Sequence, residues 1–277
     1  MLTDSPKSIH THCKWDQDNP RDSQTWRLLE LDMDDPLHNL AVEEAVLENV
    51  STGEASDTIR FWKNTKPTIV IGKFQMPELE VNREICEKQG ISVVRRFTGG
   101  GAVYHDRGNL NYALSARRGG PIVPSAISEI IPTLCGGVVE GLRTLGLDVS
   151  FVSAGAYCQV NGKKISGTAA VVRKKVAFVH GTVIVSSDLV KMREALDVPP
   201  YPTDSKLKQF VKSIRREVTS IELELGRKVP LVEVKEALKK GFIKSLGISL
   251  KKGALLQSEQ RLANRIAREK RSEIIIC

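Results

Sequence analysis

Three consecutive glycines, Gly99, Gly100 and Gly101, stand between two segments that read as strands, ISVVRRF (Ile91–Phe97) and NLNYALSA (Asn109–Ala116). A glycine run weakens a strand, because it gives the sheet nothing to pack and loses the most backbone entropy on ordering. Its use is close approach: no side chain keeps a ligand from the backbone, and exposed N–H groups can hold an anion. Arg95 and Arg96 precede the run and offer guanidinium donors for a carboxylate or phosphate. Strand alternation sends them to opposite faces, so one of the two reaches the site. The spacing fits neither a GxxxxGK[ST] phosphate loop nor GxGxxG, because Ala102, Val103 and Tyr104 follow at once. A wide bulge or hairpin tip is the plain alternative.

A second stretch, Asn161 to Leu189, carries Lys164 into a segment that is otherwise small and apolar. Gly167, Thr168 and Ala169 leave space beside that lysine for something to bind. His180, midway along the next strand, is more often a hydrogen-bonded core residue than a catalyst.

Residues 1–24 are polar and aperiodic, which predicts a flexible arm. Thr25 opens a mixed pattern. Strands are predicted over TWRLLELDM, TIRFWKN, TIVIGKF and the two segments flanking the glycines, then over CQVNGKK, ISGTAAVVRKK and VAFVHGTVIVSS. Asn161-Gly162 and Arg173–Lys175 serve as turns between the last three. Helices are predicted over LHNLAVEEAVLENV, LEVNREICEKQG, Ser125–Leu145, a short run from Asp188, Pro230–Leu246 and Gln257–Arg271. Strands that arrive mostly as hairpins, with helices between groups of them, predict an α+β chain with mixed, mostly antiparallel sheets flanked by helices.

The +8 net charge is unevenly placed. Residues 205–277, a basic and mainly helical segment, hold 18 Lys and Arg against 8 Asp and Glu, whereas the preceding residues hold 23 against 25. The surplus is either a solvated helical face or a docking surface for an acidic macromolecule. Nucleic acid is disfavoured, because only Phe210 and Phe242 could stack a base in that segment. Five scattered cysteines with no CxxC pair argue against a disulfide framework and against a metal site, and fit a reducing compartment. With no apolar leader and no apolar run of membrane-spanning length, the expected location is the cytoplasm.

The order RRFTGGGAVYHDRGNLNY, then GKKISGTA, then HGT and DL resembles the catalytic domain of the lipoate–protein ligase and octanoyltransferase family, itself related to biotin–protein ligases. NLAVEEA and PTIVIGKFQ are also similar to that family, so the resemblance spans roughly Thr25 to Arg271. It implies that residues 25–277 form one biotin/lipoate ligase-type catalytic domain with no separate accessory domain. The implied activity is that of a lipoate–protein ligase catalytic subunit. Lipoate (or octanoate) reacts with ATP and Mg²⁺, and the acyl group then passes to a lysine of an acidic lipoyl carrier domain. A small accessory subunit is an implied partner. By the same resemblance Arg96, Gly101, Ala102, Val103, Tyr104 and Lys164 hold the nucleotide. Gly99, Gly100, Lys164, Gly167 and His180 bind the acyl group, and Lys164 is the catalytic electrostatic clamp.

Two departures bear on the donor. Where such ligases carry an Asn-Asp pair before the lysine, this chain has Ala156 and Tyr157. Only ~70 residues follow the catalytic motifs, fewer than the family's accessory domain needs. The chain therefore also resembles two-polypeptide ligases and single-domain transferases. The alternative activity is ATP-independent transfer of octanoyl or lipoyl from an acyl carrier, for which several relatives use a cysteine nucleophile. A two-residue turn at Asn161-Gly162 predicts that Gln159 faces Lys164, Tyr157 faces Ser166, and Cys158 faces Ile165 on the opposite surface. Cys158 then reads as structural. A nucleic-acid-binding protein is the remaining, distant alternative.

Overall fold

A computed structural model describes residues 24–196 and 210–273. The predicted arm therefore lies, but for Gln24, outside the described residues.

The chain enters through strand β1 (Thr25–Glu30) and helix α1 (Pro36–Thr52). Asp35 caps α1 by accepting from the Leu37 N–H, Pro36 sits at its first turn, and Gly53 closes it at φ +85°. Next come β2 (Thr58–Trp62), β3 (Thr68–Ile71), helix α2 (Arg83–Gln89), β4 (Ser92–Arg95), β5 (Val103–His105) and β6 (Asn109–Arg117). Helix α3 (Ile127–Thr144) leads to β7 (Ser150–Val152), β8 (Tyr157–Val160), β9 (Lys163–Val172), β10 (Val176–Ile184) and α4 (Leu189–Leu196). The basic segment supplies α5 (Ile221–Leu225), α6 (Leu231–Leu246), β11 (Ser249–Lys252) and α7 (Gln257–Glu269).

Eight strands form one sheet in the order β11-β1-β2-β6-β10-β9-β8-β7, and β4-β3-β5 form a second. Five of the seven pairings in the large sheet are antiparallel, and the two parallel ones involve β1. The α+β class read from the sequence is the one observed. Among the described residues no helix is long and apolar enough to cross a membrane.

The two faces of the large sheet are covered differently. On one, α3 and α6 cross closely, because Gly137 and Gly241 bring their backbones together: a β-carbon on Gly241 would lie 2.2 Å from the Gly137 carbonyl oxygen. On the other lies α1, whose outer side is covered in turn by α7. The sequence reads α1 as amphipathic, yet residues all round it are buried, Asn39 and Glu43 among them. Its polar positions serve inside the protein, and α7 removes the solvent from its back. The small sheet stands beside this face, with α2 and α4 packed on it. At the gap between the two sheets α1, the glycine run and β9 converge, and the site lies there.

Candidate active site

The loop from Arg96 to Ala102 joins β4 to β5 across this gap. The structure sends Arg95 and Arg96 apart, as alternation predicts. Arg95 donates to the carbonyls of Gly72, Lys73 and Gln75 on the outer side. Arg96 turns inward and is 5% exposed. Its donors are largely committed to the loop: Nη1 to Val70 O, Nη2 to Gly99 O and Gly101 O, and Nε to Thr98 Oγ1 and Gly99 O. The guanidinium thus fixes the shape of the glycine run. The close approach required of the glycines is partly to the protein itself. A β-carbon on Gly72 would lie 2.2 Å from Gly100 O, and one on Gly101 would lie 2.8 Å from Ser213 Oγ. Gly100 takes φ +88°, a left-handed conformation that favours glycine. Gly99 gives its carbonyl to Arg96, and Ala102 donates its N–H to Ser213 Oγ at 2.7 Å.

A hydrogen-bonded chain runs inward from Arg96. Its Nε donates to Thr98 Oγ1 (3.0 Å), which lies 2.8 Å from His180 Nε2. His180 Nδ1 lies 2.7 Å from Glu43, and the Glu43 carboxylate also accepts from the Trp62 indole at 2.7 Å. Thr98 can accept from Arg96 and still place its own proton toward His180 Nε2, while Nδ1 faces the Glu43 carboxylate. His180 therefore lines the cavity with both ring nitrogens bonded. Glu43 is a residue that the sequence reading passed over. A glutamate pair, Glu43-Glu44, set between Val42 and Ala45 in an otherwise apolar stretch was the available signal.

Beside this wall, His105 is buried against Trp62 and within 3.4 Å of the Asn64 amide. Burial, then the Arg96 charge, then His180, push its imidazole down to about 3. It stays neutral when folded and gains a proton on unfolding, so its share of stability is present above about 6.5 and is lost as pH falls toward about 3. Urea midpoints measured from pH 7 to 4 should show His105→Asn with a shallower acid decline than wild type; equal slopes would count against this assignment.

Lys164 lies where two cavities meet. The first, of about 420 Å³, reaches from Lys164 past Ala169 and His180 to Asn111, Trp62 and Leu40. The second, of about 370 Å³, runs under Tyr104, Ile184, Met192 and Arg215. Ala102, Val103, Lys164, Gly167 and Arg216 border both. Burial, and then the neighbouring Arg216 and Arg96 charges, hold the Lys164 ammonium below its ordinary pKa. Among the described residues it has no carboxylate partner. Glu43 is taken by His180 and Trp62, and Glu217 pairs with Lys163. The Tyr157 ring stands 4.6 Å from the Arg216 guanidinium and 6.0 Å from Lys164 Nζ, a π-face that lets two cations lie close together.

The predicted hairpin register holds at Gln159 and Lys164 but not beyond. Cys158 pairs with Ser166 and Tyr157 with Gly167, which leaves Ile165 as the extra residue of a β-bulge. Next to the bulge a strap, residues 211–218, crosses the site. Lys164 bonds through its N–H to Glu217 O and through its carbonyl to Thr219 N–H, as a parallel bridge to Val218. From sequence the strap was placed only within the basic 205–277 segment, taken as either a solvated helical face or a docking surface. It brings Ser213, Ile214 and Arg216 to the cavities.

The bulge also lays the Lys164 side chain over Gly167, where a β-carbon would meet Cε and Nζ at 2.8 Å. Gly167→Ala should therefore fold normally, since the far end of a flexible side chain can move aside. It should slow the reaction on the order of 10²-fold, the usual cost of a misplaced group. Wild-type turnover by this variant, measured beside its melting curve, would remove Lys164 from the chemistry.

Cys158 is fully buried among the α3-side core, and burial pushes its thiol up, with Cys135 adding to the effect. Cys135, also in that core, is raised to about 11 by burial. Cys86 belongs to the small-sheet core. None of these lines either cavity, and Cys13 and Cys277 lie outside the described residues. No cluster of three or more metal-ligating side chains occurs among the described residues.

A family model described as the lipoyl protein ligase A/B catalytic domain matches residues 35–243. The chain belongs to that family. Among curated relatives, the octanoyltransferase LipM of Halalkalibacterium halodurans is 33% identical over 271 residues, covering 89% of this chain and 96% of the relative. Lipoate–protein ligase 1 of Staphylococcus aureus is 36% identical over 206 residues, 74% of this chain but 59% of that one. A lipoate-protein ligase A solved with ATP superposes with a TM-score of 0.77 at 29% identity, covering 90% of this chain and 96% of the other. The bipartite lipoate protein ligase of Thermoplasma acidophilum, studied with its E2 lipoyl domain, gives 0.76 at 29%, with 90% and 94% covered. The chain is an enzyme of the lipoate ligase and transferase family.

Proposed function

We propose that this enzyme transfers an eight-carbon acyl group, octanoyl or lipoyl, to a lysine of a lipoyl carrier domain, with Lys164 as the electrostatic clamp. The observation that carries the reading is an ammonium with no carboxylate partner among the described residues, at the junction of two cavities. An acyl chain in the first cavity brings its carbonyl to Lys164, and the activating group occupies the second. The acceptor amine attacks the carbonyl carbon and negative charge grows on oxygen. Lys164 and Arg216 face that charge without first reorganising. As the N–C bond forms and the leaving group departs, the amine releases its proton.

The octanoyltransferase relatives, matched along 96% of their length in the first case, support a carrier thioester as donor. In that reading the C–S bond breaks, and the departing thiolate takes up the proton. Since no described thiol lines the cavities, the acyl group passes straight to the acceptor amine. A second reading, adenylation of free lipoate by ATP, is favoured by the Lys164–Arg216 cation pair, which suits an α-phosphate, and by the ATP-bound structure of a relative. The site's carboxylates do not suit protein-held Mg²⁺: Glu43 and Glu217 are engaged, and Ala156 and Tyr157 stand where ligases carry Asn-Asp. The +10 segment suits docking of an acidic carrier domain or an accessory subunit.

Mass measurement of an acceptor domain separates the donors. Octanoyl-carrier protein without nucleotide should add an octanoyl group. Failure there, with success from lipoate and ATP with or without an accessory protein, would decide for the second reading. Failure from every donor, pre-made lipoyl-adenylate included, would reject acyl transfer.

A further inference from the structure

Among the polar side chains that line the first cavity, Asn111 stands apart, because the acyl-transfer chemistry does not use it and its amide is unpaired among the described residues. Asn111, on β6, is 1% exposed, and neither its Nδ2 nor its Oδ1 has a hydrogen-bond partner among the described residues. Its nearest polar neighbour across the strand, Thr182, is taken by Asn109, whose amide donates to Thr182 Oγ1 at 3.2 Å. Trp62, on its other side, gives its indole proton to Glu43. A buried amide with both ends unpaired is costly, and such a group is retained where something else pairs with it.

The sheet register says what that partner is. Gly167 pairs with Thr182, Thr182 with Asn111, and Asn111 with Trp62, so the four form one row straight across the sheet. Directly paired residues share a face, and this row floors the cavity. Lys164 lies over Gly167 at one end. Asn111 is two strands further on, about 10 Å at the ordinary strand spacing. An extended acyl chain whose carbonyl sits at Lys164 therefore brings its distal carbons to Asn111. Trp62 and Leu40 are the apolar parts of the surrounding wall, and the Asn111 amide is the group there with both ends left unpaired among the described residues.

We propose that Asn111 is a specificity-determining residue. It pairs with a hydrogen-bonding or polarisable atom near the distal end of the acyl chain, such as a dithiolane sulfur, and disfavours an all-carbon chain. The physical reason is asymmetric. A sulfur or hydroxyl at the chain end satisfies the amide, whereas methylenes leave it buried and unpaired. This inference rests on the acyl-transfer reading but not on which donor supplies the acyl group. It cuts across the names of the octanoyltransferase relatives, whose acyl group carries no such atom.

The test uses lipoyl, octanoyl and 8-hydroxyoctanoyl groups presented on one and the same donor, with the acceptor domain in excess. For wild type we expect kcat/KM for the lipoyl and hydroxyoctanoyl groups to exceed that for octanoyl about tenfold, the worth of one unpaired buried group. Asn111→Leu, which keeps the γ-branched shape without the hydrogen-bonding groups, should remove or invert that ratio by raising the octanoyl value. A ratio unchanged in Asn111→Leu, or no preference in wild type, overturns the proposal. A purely structural Asn111 would move the melting temperature and all three rates together. Should Asn111→Leu fail to fold, thermal shifts of wild type with the three free acids decide. Larger shifts with lipoate and 8-hydroxyoctanoate support the proposal, and equal shifts overturn it. Because those shifts report binding alone, they are read even where no donor yields transfer, the outcome that would instead reject the proposed function.

Discussion

Lys164→Ala should lose acyl transfer by about 10²–10³-fold in kcat, the range found when one preorganised donor to a developing oxyanion is removed. The fold should survive. Lys164 makes its bonds to the strap through its backbone, and these an alanine keeps. The ammonium itself is buried near Arg216 and Arg96 with no described carboxylate beside it. Its lowered pKa means that the native state sheds this proton more readily than the unfolded chain. Wild-type stability should therefore rise with pH just below the ordinary lysine range, as the cost of the buried charge disappears. Lys164→Ala should lack that rise. In the same interval wild-type activity should fall, because the clamp loses its charge. Lys164→Arg, which stays charged, should keep its residual activity to higher pH. Stopped assays and urea titrations at matched pH values read both effects. Wild-type turnover by Lys164→Ala would defeat the assignment outright.

The second large effect is expected at Arg96, and the sequence reading and the structure assign it different work. The resemblance gives Arg96 to the nucleotide. In the fold it holds Val70 O, Gly99 O, Gly101 O and Thr98 together. Arg96→Lys keeps the charge but loses the planar fork, so it cannot reach carbonyls on three sides at once. Leaving buried acceptors unpaired should cost on the order of 3 kcal/mol in urea unfolding. Transfer should fall with every donor alike, because a slack glycine loop misplaces the whole wall through Thr98 and His180. A purely ligand-binding Arg96 would behave otherwise, with unchanged stability and a raised KM for one substrate only.

Why these roles were partly illegible follows from what a sequence records. The strands that carry the site announce themselves by period, by turn residues and by the glycine run, so β6, β9 and β10 are found where expected. The placement of Lys164 beside Gly167 also follows from small neighbours along one strand. The bulge at Ile165 does not. It sits where the 211–218 strap pairs with Lys164 from some fifty residues away, and no local pattern encodes a partner so distant. The short strands β5, β7 and β11 were missed for the same reason. Three or four residues carry no period, and such segments become strands only when a neighbour offers a free edge. Asn111 and Glu43 look like ordinary polar positions until the register shows that they face inward.

Strand β1 pairs with β2 on one side and with β11 on the other, and Thr25 meets Ser249 across a separation of 224 residues. Arg27 then reaches forward to Glu259 of α7, 2.5 Å away and fully buried. During synthesis β1 and the back of α1 must wait, half-covered, until the last helices leave the ribosome. Contacts so far apart in sequence slow folding and prolong the exposure of apolar surface. A nascent chain halted before β11 would show a bare strand edge and the uncovered rear of α1. This enzyme should therefore depend more on chaperones while it is being made than after it is finished.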